Sequence, residues 1–218
     1  LSSVNTFSTG MSNGGDMSYL LACKAHETFK AIAPVAGSML EWIYNTCDGV
    51  ATPVLEIHGT NDSVTLWDGD MENNDGWGAY LSTLDAIDYW VSTNECLESE
   101  DINLPNTDFS DGSYVINHRY FNCIDNKEVW LYEVVNGGHD WPGSYGNMDI
   151  NASEEIWSFL RTYTLMLGDI NEDYGINILD VISLIDLILS GNSNHNTADI
   201  NNDGQINVID VVALVNLI

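Results

Sequence analysis

The clearest chemical pattern in the chain is a serine between two glycines near its amino end. Residues 10–14 read Gly-Met-Ser-Asn-Gly, the spacing of a nucleophile held on a sharp turn between a strand and a helix. We expect a strand over residues 4–8 and an apolar helix over residues 16–23 around this turn. Since a five-residue pattern with two glycines also arises by chance, the alternative is a glycine-rich turn with Ser12 facing solvent.

An acid and a base follow, each in a loop directly after a predicted strand. Asp62 comes after the strand 54–59, and His139 lies in a glycine-rich loop after the strand 128–134. In open α/β sheets, catalytic groups collect at the carboxyl ends of the strands. The order serine, aspartate, histidine is therefore interpreted as a catalytic triad.

Each member of this triad has a chemical role. Ser12 would attack an acyl carbonyl, while His139 takes its proton and later gives it to the leaving alcohol. Asp62 would fix the imidazole tautomer and stabilise the imidazolium, and the backbone N–H of Asn13 would bind the oxyanion. No cofactor is expected for this reaction.

Less specific interpretations stay open for these and other polar residues. Asp62 is also typical of a residue that caps a turn, and His139 of a structural loop histidine. His58 lies within a strand and is expected to pack or form hydrogen bonds beneath the site. Surface or structural roles are expected for His26, His118 and His195, and a place along the cleft for Asp68, Asp70 and Asp75.

Alternating strands and helices over residues 1–165 predict an α/β fold, with a mostly parallel sheet and helices on both faces. A helix is expected over residues 77–91 and another over residues 153–163. Their predicted apolar faces are Tyr80, Leu81, Leu84, Ile87 and Val91 in the first, and Ile156, Phe159 and Leu160 in the second.

Composition excludes some classes of partner. The 218 residues contain 33 Asp and Glu against 5 Lys and Arg, a formal net charge of −28, so nucleic acid and anionic membranes would be repelled. Cation binding, a salty or cold habitat, and solubility through self-repulsion are the three open explanations. There is no apolar run long enough to span a membrane and no visible signal peptide.

The cysteines indicate an oxidising compartment. All four lie in the first 125 residues, and none forms a C-x-x-C pair, which suits two disulfides better than a zinc site. Three pairings are open, of which we take the sequential one, Cys23–Cys47 and Cys96–Cys123. The alternative is four reduced thiols in the core.

Residues 8–163 resemble a family of secreted esterases that includes poly(3-hydroxybutyrate) depolymerases and feruloyl or acetylxylan esterases. The resemblance implies Ser12, Asp62 and His139 as nucleophile, acid and base. It also implies that Trp141 shapes the acyl or alcohol side of the pocket, the alternative being a tryptophan packed for stability. The matching segments are residues 9–15, 33–37, 57–62, 94–96 and 137–143.

One part of the family pattern is not seen. In this family a His-Gly loop on earlier strands supplies a second oxyanion N–H, whereas fewer than ten residues precede Gly10 here. The strand predicted over residues 4–8, which leads into the serine turn, would then have an unpaired edge. We expect a fragment, or completion by another chain, and poor catalysis by this chain alone.

From Gly168 onward a 30-residue repeat begins, and Lys and Arg no longer occur. The loops 169–180 and 199–210 carry oxygen side chains at positions 1, 3, 5, 9 and 12, the spacing that surrounds a calcium ion. Asx-rich turns without metal are the alternative. The predicted ligands at two sites are Asp169, Asn171, Asp173, Gly175 and Asp180, and Asp199, Asn201, Asp203, Gln205 and Asp210, where Gly175 and Gln205 would contribute their carbonyls.

This segment, residues 166–218, resembles the type I dockerin modules, which are small and all-α. The first loop has its glycine one place late, at Gly175, which predicts weaker binding there. Apolar residues occupy positions 10 and 11 of both loops, where dockerins often carry the Ser-Thr pair that recognises cohesin. A cohesin-like partner, an intramolecular contact and an unknown partner are therefore all open, and the short join predicts packing against the hydrolase.

Three functions remain in competition. The favoured one is a secreted serine carboxylesterase that acts on feruloyl or acetyl esters of polysaccharides through an acyl-enzyme. Hydrolysis of polyesters is the second. The third is a non-catalytic, calcium-binding scaffold or adhesion module whose hydrolase half is structural.

Overall fold

The computed structural model describes residues 5–164, 166–171, 173, 175–191, 195 and 197–218. The chain divides into two compact units, Leu1–Tyr163 and Thr164–Ile218, and each is described by itself.

The first unit is built on a six-stranded sheet in the order β1-β2-β3-β6-β5-β4. The pairs β1–β2, β2–β3 and β3–β6 are parallel, while β6–β5 and β5–β4 are antiparallel. The sheet is therefore mostly parallel, as predicted, with an antiparallel extension on one side. The strands are β1 Thr6–Met11, β2 Phe29–Val35, β3 Val54–Gly59, β4 Glu98–Asn103, β5 Tyr114–Phe121 and β6 Val129–Val135.

Helices cover both faces of this sheet, which confirms the α/β prediction. Alternate residues of each strand point to opposite faces: Ala31, Ala33 and Val35 of β2 pack in one core cluster with α4. Ile32, between them, packs in a second cluster with helices α1 to α3. The helices are α1 Asn13–Lys24, α2 Glu41–Thr46, α3 Thr83–Thr93 and α4 Ala152–Leu160, with short 3₁₀ turns at Ile124–Asn126 and Arg161–Tyr163.

The helix predicted over residues 77–91 begins six residues later than expected. Gly76 and Gly78 have φ angles of 78° and 108°, in the left-handed region that is incompatible with a right-handed helix. Ser82 instead caps α3, its side chain accepting a hydrogen bond from the Asp85 N–H. The predicted apolar face was also partly wrong, since Leu84 is 48% exposed.

Two elements were not anticipated. The strand β4 is exposed along its whole length and rich in acidic residues, so it lacks the apolar alternation by which half-buried strands are recognised. The helix α2 has only six residues and buries Ile43 alone. The inner face of α4 is as predicted, with Ile156, Phe159 and Leu160 buried.

Two disulfides tie segments of this unit together. Cys23 at the end of α1 is joined to Cys47 after α2, and Cys96 after α3 is joined to Cys123 after β5. This is the sequential pairing. Over the residues that the structure describes, no helix has the length and apolar character needed to cross a membrane.

The second unit consists of two loop–helix repeats around a small core. The helices are α5 Ile178–Leu189 and α6 Val208–Val215, each starting three residues earlier than predicted. Asn177 and Asn207 cap them, and Asp180 and Asp210 complete a capping box in each case. The buried core residues are Ile170, Val181, Leu184, Ala198 and Leu214.

Candidate functional site

Ser12 lies at the turn between β1 and α1 in a strained backbone conformation. Its φ of 57° and ψ of −124° are in a region that residues other than glycine rarely occupy. The turn is held by its own N–H, which donates to the Val35 carbonyl at 2.9 Å, and by its carbonyl, which accepts from Gly15 and Asp16. This is the geometry of a nucleophile elbow.

The glycines around Ser12 are required by close packing of backbone on backbone. A Cβ atom on Gly10 would lie 2.8 Å from the backbone of Gly14, and one on Gly15 would lie 2.7 Å from the Cα of Gly37. By contrast, a Cβ on Gly14 would meet nothing within 4 Å. The steric constraint of the motif therefore applies to Gly10 and Gly15 rather than to Gly14.

Asp62 and His139 meet at the carboxyl ends of neighbouring strands β3 and β6. His139 Nδ1 lies 2.8 Å from Asp62 Oδ2, and Asp62 is only 4% exposed. The other oxygen, Oδ1, accepts from the N–H groups of Val64 at 2.7 Å and Thr65 at 2.9 Å. Asp62 thus caps its own turn and also binds His139, so the turn-capping role does not exclude the predicted catalytic one.

Thr65 contacts both members of this pair and lines the same cavity as Ser12. Its hydroxyl lies 3.0 Å from Asp62 Oδ2 and 3.2 Å from His139 Nδ1, and Thr65 also lines a cavity that Ser12 lines. Between these described residues the Asp62–His139 hydrogen bond is formed, whereas Ser12 and His139 do not share one. Catalytic hydrogen bonds often tighten only when substrate binds.

Asn13 also lines this cavity. It is the first residue of α1, where a backbone N–H has no carbonyl one turn earlier in the helix to accept its hydrogen bond. The positive end of the helix dipole also favours negative charge at this position. The Asn13 N–H is therefore suited to bind an oxyanion.

Sequence reasoning missed most of the cavity wall. Asp16 binds the N–H of Ser38 at 2.7 Å and its hydroxyl at 3.1 Å, and burial raises the pKa of Asp16 above its usual value. The spacing of Asp16, four residues after Ser12 on a helix, was the available signal. The remaining wall residues are Leu40, Val64, Thr65, Trp77 and Tyr80.

Several other residues named from the sequence do not line this cavity. Trp141 donates from its indole to Ser153 Oγ at 3.1 Å and packs against the α4 core cluster. Asp70 is buried and binds the Asn74 side chain and the Asp75 N–H. His118, for which a surface or structural role was expected, bridges Asp101 and Glu133 from β5.

The first loop of the second unit brings carboxylates together. Oxygens of Asp169, Asp173 and Asp180 lie within 4.8 Å of one another, which suits a hard cation that takes oxygen ligands. Asp180 accepts from Ile170 at 2.7 Å, Asn171 at 3.2 Å and Asn177 at 2.8 Å. Although burial raises the pKa of Asp180, these N–H donors outweigh burial and hold it below its usual value.

The second loop repeats the same backbone scheme. Asp210 accepts from Ile200 at 2.9 Å, Asn201 at 3.2 Å and Asn207 at 2.8 Å. Asp199 accepts the N–H of Asp203 at 3.1 Å, as Asp169 accepts that of Asp173. Within the described residues, only the first loop has three carboxylates converged without an ion.

The sheet, the strained serine turn and the hydrogen-bonded Asp62–His139 pair give the first unit a partial α/β-hydrolase-like fold. The comparisons agree. The chain is 35% identical over 156 residues to a probable feruloyl esterase C of Aspergillus terreus, which covers 70% of this chain and 48% of that protein. It is 31% identical over 163 residues to feruloyl esterase C of Emericella nidulans, with 70% and 48% covered.

A third relative is feruloyl esterase D of Neurospora crassa, 30% identical over 162 residues, with 72% of this chain and 48% of that protein covered. The chain thus spans about half the length of the curated relatives it matches. The profile of the type I dockerin domain matches residues 167–218. The chain therefore has homologues among the feruloyl esterases and carries a C-terminal type I dockerin domain.

Proposed function

We propose that residues 1–165 form a serine carboxylesterase domain that works through an acyl-enzyme. Ser12 is the nucleophile, His139 the general base and then the general acid, and Asp62 holds the imidazole. The Asn13 N–H binds the oxyanion of the tetrahedral intermediate. The observation that carries this proposal is the 2.8 Å contact between His139 Nδ1 and Asp62 Oδ2, beside a serine in an elbow conformation.

The substrate class follows from the relatives and from the cavity wall. The three relatives described above are named feruloyl esterases, and a feruloyl group carries an aromatic ring. Trp77, which is 65% exposed, lines the cavity together with Tyr80 and Leu40, so that an aromatic acyl group has rings and apolar surface to pack on. Feruloyl-type esters of polysaccharides are therefore the proposed substrates, with Trp141 supporting the loop of His139.

The competing functions have less support. No observation on the cavity favours a polyester chain over an aromatic ester. A non-catalytic scaffold would have no need of the strained backbone at Ser12 or of an acid–base pair buried at the strand ends.

We further propose that residues 166–218 bind two calcium ions, one in each loop. The converged carboxylates of the first loop and the matching backbone scheme of the second support two sites. Dockerin modules bind cohesins, and a cohesin-like protein is the proposed partner. It would contact the exposed pairs Ile178-Leu179 and Val208-Ile209. Two disulfides suit an oxidising, extracellular location.

The esterase proposal is tested by covalent labelling. A fluorescent organophosphonate is expected to label the full chain at Ser12, because the reagent traps an activated serine. Labelling should be lost in Ser12→Ala and fall at least 100-fold in rate in His139→Ala. Mass spectrometry of the tryptic peptides reports the site.

Ser99→Ala is the matched control, because Ser99 lies on the exposed strand β4 away from the cavity. It should label like the wild type. Equal labelling of wild type and Ser12→Ala would refute the nucleophile assignment. Labelling that persists in the presence of a calcium chelator would show that calcium is not needed for the reactivity of Ser12.

A further inference from the structure

A string of buried polar side chains lies directly beneath Asp62. Glu56 and His58 are two residues apart on β3 and therefore point to the same side of the sheet; they are 0% and 2% exposed. His58 Nδ1 lies 3.0 Å from Glu56 Oε1, and His58 Nε2 lies 3.7 Å from Asp62 Oδ2. The catalytic roles proposed above use neither residue.

The hydrogen bonds of His58 fix where its protons are. Nε2 lies 2.9 Å from the carbonyl oxygen of Thr65, and since a carbonyl can only accept, Nε2 carries a hydrogen. Nδ1 faces Glu56, so one proton is shared between these two groups.

The other hydrogen-bond donors to Glu56 indicate whether the shared proton lies on His58 or on Glu56. The Gly37 N–H donates to Glu56 Oε1 at 3.3 Å, and the Tyr19 hydroxyl donates to Oε2 at 2.9 Å. Burial raises the pKa of Tyr19 well above its usual value, so Tyr19 keeps its proton. Burial raises the pKa of Glu56, while hydrogen bonds from His58, Tyr19 and Gly37 oppose that effect. Because its oxygens already accept from two other donors, Glu56 is assigned as the carboxylate and Nδ1 of His58 as the third donor.

The charges around His58 agree with a cation. Glu56 and Asp62 flank it, and Asp16 faces it from α1. Glu133, opposite His58 in the register of β6, is bound by the side chain of another histidine, His118. Burial lowers the pKa of His58, but the hydrogen bond and charge of Glu56, with a contribution from Asp62, raise it above its usual value overall.

We propose that His58 is a buried imidazolium that positions Asp62 and offsets part of its negative charge, so that His139 remains a free base at lower pH. A cation beside Asp62 weakens the attraction of Asp62 for a proton on His139. This inference rests on the proposed function only in so far as His139 is the general base. His58 touches no reacting atom and acts through Asp62.

The first test needs no enzymatic activity. In the full, ¹⁵N-labelled chain at pH 7, long-range nitrogen–proton spectra of the histidine rings should show both nitrogens of His58 protonated. They should remain so from pH 5 to pH 8. A neutral ring with one bare nitrogen at pH 7 would overturn the proposal.

The second test removes the charge. Gln in place of His58 can still donate to the Thr65 carbonyl, so His58→Gln is the conservative variant. In it, the ring of His139 should take up its proton at a pH about one unit higher than in the wild type. The acid limb of kcat/KM for methyl ferulate should move by the same amount, since His139 must be unprotonated to act.

His118→Gln is the matched control, because His118 also lies between two carboxylates, at 2.7 Å and 2.8 Å, but on β5. It should leave the titration of His139 unchanged. Should His58→Gln fail to fold, Glu56→Gln replaces it and should make His58 lose its second proton at lower pH. An unmoved His139 titration in a folded His58→Gln would disprove the inference, whereas absence of ester hydrolysis with a shifted titration would count only against the esterase.

Discussion

At the scale of single residues, the side chain of Asp62 holds its own turn and also binds the ring of His139. Two backbone N–H groups occupy its Oδ1, and Oδ2 faces His139 and the Thr65 hydroxyl. Because both oxygens take part in hydrogen bonds, the carboxylate cannot rotate without losing some of them. The proposed acid–base pair is therefore oriented before substrate arrives.

Trp77 is the residue on which aromatic selectivity is expected to depend. In Trp77→Ala, KM for methyl ferulate should rise about fivefold to tenfold, because stacking on an aromatic ring contributes about 1–1.4 kcal/mol. KM for an acetyl ester should change little, since an acetyl group has no ring. Steady-state kinetics with both substrates measure the split.

Trp157→Ala is the control for this prediction, since Trp157 is 60% exposed on α4 and lies outside the cavity. It should leave both KM values unchanged. An equal loss for both esters in Trp77→Ala would show that Trp77 does not distinguish aromatic acyl groups.

Gly59 is expected to be irreplaceable, because the loop of His139 passes directly over it. A Cβ atom there would lie 2.5 Å from the carbonyl carbon of Gly137 and from the carbonyl oxygen of Gly138. Gly59→Ala should lower the free energy of unfolding by about 1–3 kcal/mol, the usual cost of overpacking, and slow phosphonate labelling. Urea denaturation provides the measurement.

Gly14→Ala tests the same change where there is space. Gly14 lies in the first turn of α1 and its added Cβ would meet nothing, so the substitution should be neutral or stabilise by up to about 1 kcal/mol. Comparable destabilisation in both variants would contradict the packing account.

At the scale of elements, regular pattern and turn chemistry explain what the sequence could and could not predict. The strand Val54–Gly59 and the loops of Asp62 and His139 follow from apolar runs that end in glycine and polar residues. The exposed strand β4 had no apolar residue pattern to reveal it, and the antiparallel side of the sheet was missed with it. Trp77 was assigned to a helix because the apolar residues that follow it have helical spacing, and this pattern was given more weight than Gly76 and Gly78 on either side of it.

The cavity wall shows a second limit of sequence reasoning. Asp16 is brought to Ser38 by the packing of α1 on the loop after β2, and Thr65 is brought to His139 across 74 positions of the chain. Contacts of this kind depend on tertiary structure and leave no local pattern. The predicted triad needed only the order of strands and loops.

The capping box of α5 is expected to respond to acid. The pKa of Asp180 is lowered in the folded state, so its contribution to stability is present above the usual aspartate value of about 4 and is lost as pH falls through the lowered value. With calcium removed by a chelator, the second unit should lose stability as pH falls below about 4. Asp180→Asn should abolish this dependence and cost about 1–3 kcal/mol at pH 7.

The NMR intensity of the α5 amides during urea unfolding at each pH gives this stability. Asp186→Asn is the control, since Asp186 is an exposed carboxylate on the same helix, and it should retain the acid response of the wild type. Acid sensitivity that persists in Asp180→Asn would assign it to other carboxylates.

At the scale of the whole molecule, the division into two compact units predicts two unfolding transitions, of which calcium shifts one. Calcium at 100 times its dissociation constant should stabilise residues 164–218 by about 2.7 kcal/mol for each site filled, and the transition of residues 1–163 should not move. Scanning calorimetry with and without chelator checks this.

Isothermal titration with calcium gives the number of sites. Two ions are expected for the wild type and one for Asp199→Ala, which removes the first ligand of the second loop. A single ion in the wild type would show that only the loop with converged carboxylates is a site. A calcium-induced shift of both transitions would contradict the assignment of the metal to one unit.

The acidic strand β4 affects whether copies of this chain associate edge to edge. It ends one side of the sheet, and Glu98, Glu100 and Asp101 lie along it, exposed. A strand from another molecule that paired with this edge would place its backbone next to a row of negative charges. In a second copy of this chain, the pairing strand would itself be negatively charged, so the two edges would repel each other. This charged edge opposes fibre-like stacking at low ionic strength. The protection weakens as salt is added, because salt screens the repulsion between the charges.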